Sequence, residues 1–224
     1  MINPVSTTLD QQAGHPSLTG RAHWVSRRRM TRAQRVIKRA IDVTASLCAL
    51  CIVLPVLLCI AIAIRLESPG PVLFRQRRVG EGGRLFEIYK FRSMVAQADE
   101  QAAAALNALK RPGDSRVTRV GAFLRRTSLD ELPQLFNILS GDMSLVGPRP
   151  EVPWRVERYE SWQRARFLVP QGLTGWWQVT GRAEKPCHLS TEDDLFYVEN
   201  YSLWLDLKII MMTIPVVLTG RGAF

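Results

Sequence analysis

The sequence predicts an α+β, membrane-associated protein with one apolar helical segment, amphipathic interfacial helices and a small mixed cytosolic domain. Three observations predict this class. Residues 43–64 form a run of 22 residues without a charge; as an α-helix the run reaches about 33 Å, enough to cross a bilayer core. Short β-rich runs and short helical patterns then alternate along the chain. The formal charge is +10, with 30 basic and 20 acidic residues, and many basic residues flank the apolar run, as expected beside anionic headgroups.

Residues 1–30 have prolines, glycines and few large apolar side chains, so we expect a disordered basic tail. An amphipathic basic helix then leads into the membrane segment, and together they occupy residues 31–66. Four cysteines exclude a disulfide scaffold, and three scattered histidines make a zinc site unfavourable. Cys48 and Cys51 lie within the apolar run and are interpreted as small apolar residues.

The path of the membrane segment has two alternatives. Seven basic residues lie within residues 27–39 and seven within residues 65–92, so neither flank has the shortage of Lys and Arg that marks an exported side. A re-entrant helix broken at Pro55 would keep both flanks on the cytoplasmic side. A single span with a proline kink is the other alternative.

Residues 67–224 are predicted to form a cytosolic domain with interfacial helices. The expected elements are a hairpin turning at 80–83, an Ala-rich helix at 95–109, a helix-break-helix unit at 121–143, an irregular loop at 144–153, a loop-like segment at 172–182 and an apolar helix at 203–220. The uncharged part of the last helix is too short to span a membrane, so that helix is predicted to be interfacial or packed.

Asp130 and Glu131 are the candidate catalytic residues. Ser128 and Glu131 have capping-box spacing, whereas a helix starting at Asp130 would put Pro133 in its first turn. Both alternatives put two carboxylates at a helix N-terminus, where the dipole favours an ionised Asp130. Such a carboxylate can serve as a nucleophile or a Mg²⁺ ligand. On this motif alone, a helix cap with surface charge is the favoured interpretation.

Basic residues in loops are the candidate substrate contacts, because the planar fork of Arg suits phosphate. Prolines on both sides of Arg149 stiffen it and reduce the entropy lost on binding. If these cations converge on the carboxylates, they would suit a diphosphate with Mg²⁺; otherwise they are solvated surface. Trp176 and Trp177 are core residues, membrane-interface residues or a nucleobase platform. The candidate cations are Lys90, Arg92, Arg125, Arg126, Arg149 and Arg182.

At these residues the sequence resembles the bacterial monotopic polyprenyl-phosphate sugar-1-phosphate transferases (phosphoglycosyl transferases). The resemblance covers about residues 35–220, and its most specific block is residues 127–150. The matching stretches are KRAIDV at 38–43, SPGPVLFRQRRVG at 68–80, FEIYKFRSM at 86–94, RVGAFLRRTSLDELPQLFNILSGDMSLVGPRPE at 119–151, GLTGWWQVTGR at 172–182 and a D-x-x-x-Y-x-x-N-x-S-x-x-x-D pattern at 193–206.

The resemblance implies an enzyme of the bacterial inner membrane whose catalytic domain lies on the cytoplasmic face, with a re-entrant helix broken at Pro55. It implies transfer of a sugar 1-phosphate from a UDP-sugar to undecaprenyl phosphate, with release of UMP and a requirement for Mg²⁺. Asp130 stands at the position of the covalent nucleophile, and Glu131 at that of its partner in metal binding or proton handling. Lys90, Arg125 and Arg149 stand at positions linked to phosphate or nucleotide contacts.

Two positions depart from the family pattern. Leu54 stands where some members have Ser before the membrane proline. The run Val169-Pro170-Gln171 lacks a cation that many members have, unless Arg166 replaces it. The sequence is similar to the short form that initiates exopolysaccharide assembly, for which UDP-glucose or UDP-galactose is the expected donor. The oligomeric state stays open, with a homodimer as one alternative.

Two other classes explain part of the sequence. A nucleic-acid-binding protein would account for the positive charge, but not for the 22 uncharged residues. A membrane scaffold without an active site would leave Asp130 and Glu131 as helix caps. No nucleic-acid partner is expected.

Overall fold

The computed structural model describes residues 30–95, 114–181 and 191–219. The predicted tail, most of the Ala-rich helix and Arg182 therefore lie outside the described residues. The elements in chain order are α1 (Arg32–Glu67), β1 (Leu73–Val79), β2 (Leu85–Phe91), α2 (Arg119–Thr127), α3 (Gln134–Ser140), β3 (Ser144–Val146), α4 (Pro153–Val156), β4 (Gly172–Thr174), α5 (Trp176–Thr180), α6 (Thr191–Glu199) and α7 (Leu203–Thr219).

Helix α1 joins the basic leading helix and the apolar run into one 36-residue helix. It begins with a capping box. The Thr31 hydroxyl accepts from the backbone N–H of Gln34, and the side-chain oxygen of Gln34 accepts from the backbone N–H of Thr31. The helix continues through Pro55, so the break expected there is not formed. A proline in a helix interior costs about 3 kcal/mol, but a break would expose more backbone groups among apolar side chains. The re-entrant path therefore stays a prediction.

One stripe of α1 packs on the rest of the protein, and the other faces are open. Ile52 is 77% exposed and Leu66 is 82% exposed, which leaves a long apolar surface suited to lipid. Among the described residues, α1 is the one helix long and apolar enough to cross a membrane by length and composition. The buried stripe consists of Lys38, Asp42, Ser46, Leu50, Leu57, Ile60 and Ile64.

The predicted hairpin is confirmed. Strands β1 and β2 pair antiparallel, with Leu73 opposite Phe91 and Val79 opposite Leu85. Gly82 and Gly83 have positive φ in the connecting turn, a conformation that glycine adopts without steric cost. Phe86, Ile88 and Phe91 of β2 belong to the same core cluster as Leu57 and Ile60 of α1.

The predicted helix-break-helix unit is also confirmed, as α2, a 3₁₀ turn at Leu129–Glu131, and α3. Buried Asn137 of α3 donates to the Glu87 carbonyl (2.6 Å) and accepts from Tyr89 N–H (2.9 Å). These bonds bind α3 to β2 and fix the 3₁₀ turn relative to the end of that strand. Gly141 ends α3 with φ 88°.

The segments 144–153 and 172–182 were predicted as loops, and this prediction is wrong in part. Strands β3 and β4 form a short parallel pair, with Ser144 opposite Gly172 and Val146 opposite Thr174. Helix α5 follows β4 directly, and α4 follows the proline-rich turn. Each strand is only three residues long, so no alternating pattern marks it in the sequence.

The last two helices share a second core cluster with Val146 of β3, and α7 also packs against β4. The predicted helix at 203–220 is confirmed as α7, whose outer face exposes Trp204 (75%) and Leu218 (81%). Trp177 is buried, and the Trp176 ring contacts the Phe196 ring in a tilted arrangement with centroids 4.8 Å apart. Both tryptophans therefore belong to the packing around α5.

Candidate active site

The centre of the candidate site is the Glu131 carboxylate, which binds two cations from distant parts of the chain. Lys90 Nζ, at the end of β2, lies 2.8 Å from Glu131 Oε1. Arg149 approaches in a fork, with Nη2 2.6 Å from Oε1 and Nη1 3.1 Å from Oε2. The side chains of Lys90 and Glu131 are only 12% and 13% exposed. The structure thus brings together three of the residues singled out in the sequence.

The charges in this cluster favour an ionised Glu131. Burial raises the pKa of the Glu131 carboxyl, but Arg149 and Lys90 outweigh burial and hold this pKa well below its ordinary value. Burial lowers the pKa of the Lys90 ammonium; Glu131 and Asp130 oppose this shift, whereas Arg149 and Arg78 add to it. Glu131 therefore remains an anion at neutral pH and is a poor proton carrier there.

Asp130 lies beside this cluster in the 3₁₀ turn. Its charge acts on Lys90 and on Arg125. Burial lowers the pKa of the Arg125 guanidinium, and Asp130 opposes this shift without reversing it. Ser128, just before the turn, has φ 57° and is the one non-glycine residue with positive φ among those described. Left-handed backbone at such a residue is costly and is concentrated at functional sites. This bend separates α2 from the turn and places Asp130 and Glu131 at the junction.

Arg125 is positioned by the packing of α2 on Ser93. Its Nε donates to Ser93 Oγ at 2.8 Å. Gly121 makes this approach possible, because a Cβ there would lie 2.1 Å from the Ser93 carbonyl oxygen. Arg125 is thus brought to the site, whereas Arg126 is exposed.

The predicted capping geometry is wrong. The Ser128 side chain makes no capping hydrogen bond, and the Glu131 side chain turns to Lys90 and Arg149 instead. Pro133, rather than Asp130, occupies the N-cap position of α3. The ion pairs of Glu131 are worth more to a buried carboxylate than a bond to one backbone N–H. The Glu131 carboxylate therefore does not act as a helix cap.

Arg92 was predicted to contact substrate, but its geometry gives it a structural role. The side chain is buried and donates to the carbonyls of Ser68 (2.7 Å) and Pro69 (2.8 Å), just after the end of α1. It also reaches Ile64 O at 3.4 Å. These bonds occupy its fork and tie the C-terminal end of α1 to β2.

Arg92→Met is therefore expected to lower the melting temperature and leave the KM for the sugar donor within about twofold of wild type. The reason is that breaking hydrogen bonds from a buried charged group costs roughly 1.5–3 kcal/mol each, while none of the described bonds of Arg92 lies at Glu131. Thermal unfolding in detergent and steady-state kinetics measure the two effects. A tenfold higher KM without loss of stability would show instead that Arg92 contacts the substrate.

Two further arginines lie next to the site: Arg78, which the sequence did not single out, and Arg166, which it named only as a substitute for a missing cation. Arg78 of β1 donates to the Pro150 carbonyl at 3.1 Å and acts electrostatically on Lys90. Arg166 is buried and pairs with Asp194 at 2.7 Å. Their positions depend on contacts across the domain, and no local motif distinguishes them from other arginines.

The fit of Mg²⁺ to this donor set is limited. No group of three or more His, Cys, Asp or Glu side chains suited to a metal occurs in residues 30–95, 114–181 and 191–219. Both oxygens of the Glu131 carboxylate accept hydrogen bonds from Lys90 or Arg149, so Glu131 is not arranged as a metal ligand. One carboxylate fits a Mg²⁺ ion that substrate phosphates also hold, as is common for this metal. A site made by both carboxylates does not fit this geometry.

The chain matches the family model described as bacterial sugar transferase over residues 33–220. It is 45% identical over 193 residues to a UDP-N-acetylgalactosamine-undecaprenyl-phosphate N-acetylgalactosaminephosphotransferase of Aeromonas hydrophila, covering 84% of this chain and 45% of the relative. It is 42% identical over 198 residues to a UDP-glucose:undecaprenyl-phosphate glucose-1-phosphate transferase of Escherichia coli, covering 85% and 42%. It is 40% identical over 204 residues to an undecaprenyl-phosphate galactose phosphotransferase of Salmonella typhimurium, covering 86% and 43%.

The chain thus spans less than half the length of these curated relatives. Within the matched range lie the hairpin, the Asp130–Glu131 turn and the Arg149 loop, which together build the site. The match therefore covers the entire cluster of charged residues described above. On this evidence, the chain belongs to the bacterial sugar transferase family.

Proposed function

We propose that this protein transfers a sugar 1-phosphate from a UDP-sugar to undecaprenyl phosphate and releases UMP. The observation that carries the proposal is the convergence of Lys90 and Arg149 on Glu131, directly beside Asp130. Three relatives are named for glucose, galactose and N-acetylgalactosamine transfer, so a UDP-hexose, first UDP-glucose or UDP-galactose, is the proposed donor. The reaction would be the first membrane step in assembling an exopolysaccharide repeat unit.

The proposed reaction has two displacements at one phosphorus atom. A carboxylate oxygen of Asp130 attacks the β-phosphorus of the UDP-sugar, the bond from that phosphorus to the bridging oxygen breaks, and UMP leaves. A phosphate oxygen of the lipid then attacks the same phosphorus, and the Asp130–phosphorus bond breaks. The product is undecaprenyl diphosphate sugar, and Asp130 is regenerated.

Lys90, Arg149 and Arg125 supply positive charge where the phosphates would lie. Since these groups are already held in place, little reorganisation is needed as charge develops on the leaving UMP. Glu131 keeps Lys90 and Arg149 close together despite their mutual repulsion. Mg²⁺, held by the diphosphate and Asp130, would neutralise phosphate charge when bound.

We also propose that α1 bends at Pro55 without breaking, so that it enters and leaves the membrane on the cytoplasmic face. Its first turns contact the domain through Lys38, whose Nζ lies 2.7 Å from Asp206. Its last residue, Glu67, accepts from the Arg119 amide at 2.7 Å. A 36-residue helix is about 54 Å long, so a straight span would put its ends on opposite sides of the bilayer. Labelling single cysteines at positions 31 and 66 with an impermeant reagent tests this, because both must be reached from the cytoplasmic side only.

The proposed activity is tested by UMP release from detergent-purified protein given undecaprenyl phosphate, Mg²⁺ and one UDP-sugar at a time. The donors are UDP-glucose, UDP-galactose and UDP-N-acetylgalactosamine, the sugars of the three relatives. We expect turnover with one preferred donor and its loss on chelation of Mg²⁺. Silence with every UDP-hexose, in protein that remains folded, would contradict the proposal.

A further inference from the structure

Arg166 is the largest fully buried side chain among the described residues, and the proposed reaction gives it no role. It lies in a 3₁₀ helix at Gln163–Leu168 that packs on α6. Asp194 of α6 is 2.7 Å away, and the two side chains are 0% and 3% exposed. Burying a guanidinium is costly even when it is paired, so its place in the fold needs an explanation.

The fork of Arg166 joins three parts of the chain. Nη1 donates to the Tyr159 hydroxyl at 2.7 Å, and Nη2 donates to the backbone carbonyl of Arg149 at 2.8 Å. Burial raises the pKa of the Asp194 carboxyl to about 6, although Arg166 opposes this shift. Asp194 is therefore mostly ionised at neutral pH and keeps Arg166 oriented.

The loop that carries Arg149 is held at both ends. Gly147 N–H donates to the Thr174 carbonyl and Gly172 N–H donates to the Pro148 carbonyl, each at 2.9 Å. A Cβ on Gly147 would lie 2.2 Å from the Pro170 oxygen, so this end has no free space. At the other end, Arg166 holds the Arg149 carbonyl. The backbone from which the Arg149 side chain projects is thus fixed.

We propose that Arg166 is a positioning residue that acts through Arg149. By holding the Arg149 carbonyl, it aims the Arg149 guanidinium at Glu131, and so at the phosphates of the donor. The second part of this inference rests on the proposed function. Arg78 holds the adjacent Pro150 carbonyl in a similar way, but it also acts on Lys90, so Arg166 is the cleaner probe.

The first test compares kcat and KM for Arg149→Met, Arg166→Met and the double variant. Arg149→Met is expected to lower kcat/KM roughly tenfold or more, and Arg166→Met to change the same parameter in the same direction. Because Arg166 acts through Arg149, the double variant stays within about twofold of Arg149→Met alone. Effects that multiply would overturn the proposal.

Arg39→Met is the matched control. Arg39 donates to the Ile138 and Leu139 carbonyls, away from the Arg149 loop. The effects of Arg39→Met and Arg149→Met on kcat/KM are therefore expected to multiply.

Where Arg166→Met does not fold, Arg166→Lys replaces it. Lysine keeps a charge for Asp194 but lacks the planar fork that reaches both Tyr159 and the Arg149 carbonyl. The same kinetic comparison then applies, with the same expected non-additivity.

A second test needs no turnover, so it separates this inference from the proposed function. The melting temperatures of Arg149→Met, Glu131→Gln and the double variant give the coupling between these two residues. We expect this coupling in the otherwise wild-type protein and its loss in the Arg166→Lys background. Coupling that persists there would overturn the positioning role, whatever donor the enzyme uses. An inactive wild-type protein would instead contradict only the proposed function.

Discussion

Asp130→Asn is expected to lower UMP release by roughly 10³-fold or more and to abolish any phosphosugar adduct on the protein. The amide retains the shape of the side chain but has no anionic oxygen to attack phosphorus. The first displacement is then blocked, so UMP is not released whether or not the lipid acceptor is present. Incubation with the UDP-sugar alone, followed by intact-protein mass spectrometry, detects the adduct in the wild-type protein.

The matched control for this prediction is Asp142→Asn. Asp142 pairs with Arg84 at 2.9 Å near the end of α3, away from the Glu131 cluster. An exposed pair of this kind is worth about 1 kcal/mol or less, so turnover should change little. Undiminished turnover in Asp130→Asn would exclude the covalent role of Asp130. An adduct mapped to another residue would do the same.

Glu131→Gln is expected to lower kcat/KM by roughly 10²-fold, because Glu131 holds Lys90 and Arg149 in place. Removing its charge leaves Lys90 and Arg149 close together without the anion that offsets their repulsion. Breaking a buried ion pair by removing one partner costs about 3–5 kcal/mol, and part of that loss appears as misplaced phosphate contacts. The melting temperature should fall as well.

The Mg²⁺ dependence of Glu131→Gln distinguishes the two possible roles of Glu131. If Glu131 acts through Lys90 and Arg149, the half-saturating Mg²⁺ concentration changes less than about twofold. A rise of tenfold or more would show that Glu131 binds the metal and would refute the cation-holding role. Glu67→Gln is the control, since Glu67 accepts from backbone N–H groups at the start of α2 and contacts none of the site cations.

The sign of the charges also predicts how Glu131 affects stability with pH. Its pKa is lower in the folded protein than its ordinary value, so its stabilising contribution is present at neutral pH. That contribution is lost only as the pH falls below the ordinary pKa and through the lower folded value. The pH dependence from Asp194 runs in the opposite direction, because burial raises the pKa of its carboxyl to about 6. Its contribution to the stability of the folded state is present at low pH and is lost as the pH rises through about 6.

Local patterns in the sequence were sufficient for several elements. The uncharged run predicts α1, the alternating segments around Gly82 predict the hairpin, and Gly141 marks the end of α3. Each of these signals lies within one turn or one pair of adjacent strands. The family resemblance also identified Lys90, Arg125, Asp130, Glu131 and Arg149, which the structure places around one junction.

The sequence alone thus determined the class of the protein, its apolar helix and most of the residues of its candidate site. Only the tertiary structure decided which charges meet. It separated Arg92, which ties down the end of α1, from Arg149, which binds Glu131. It also showed the β3–β4 pair and the link from Arg166 to the Arg149 loop. The physical reason is that a lone arginine or a three-residue strand carries no periodic signal, and its partner is chosen by burial and geometry across the folded domain.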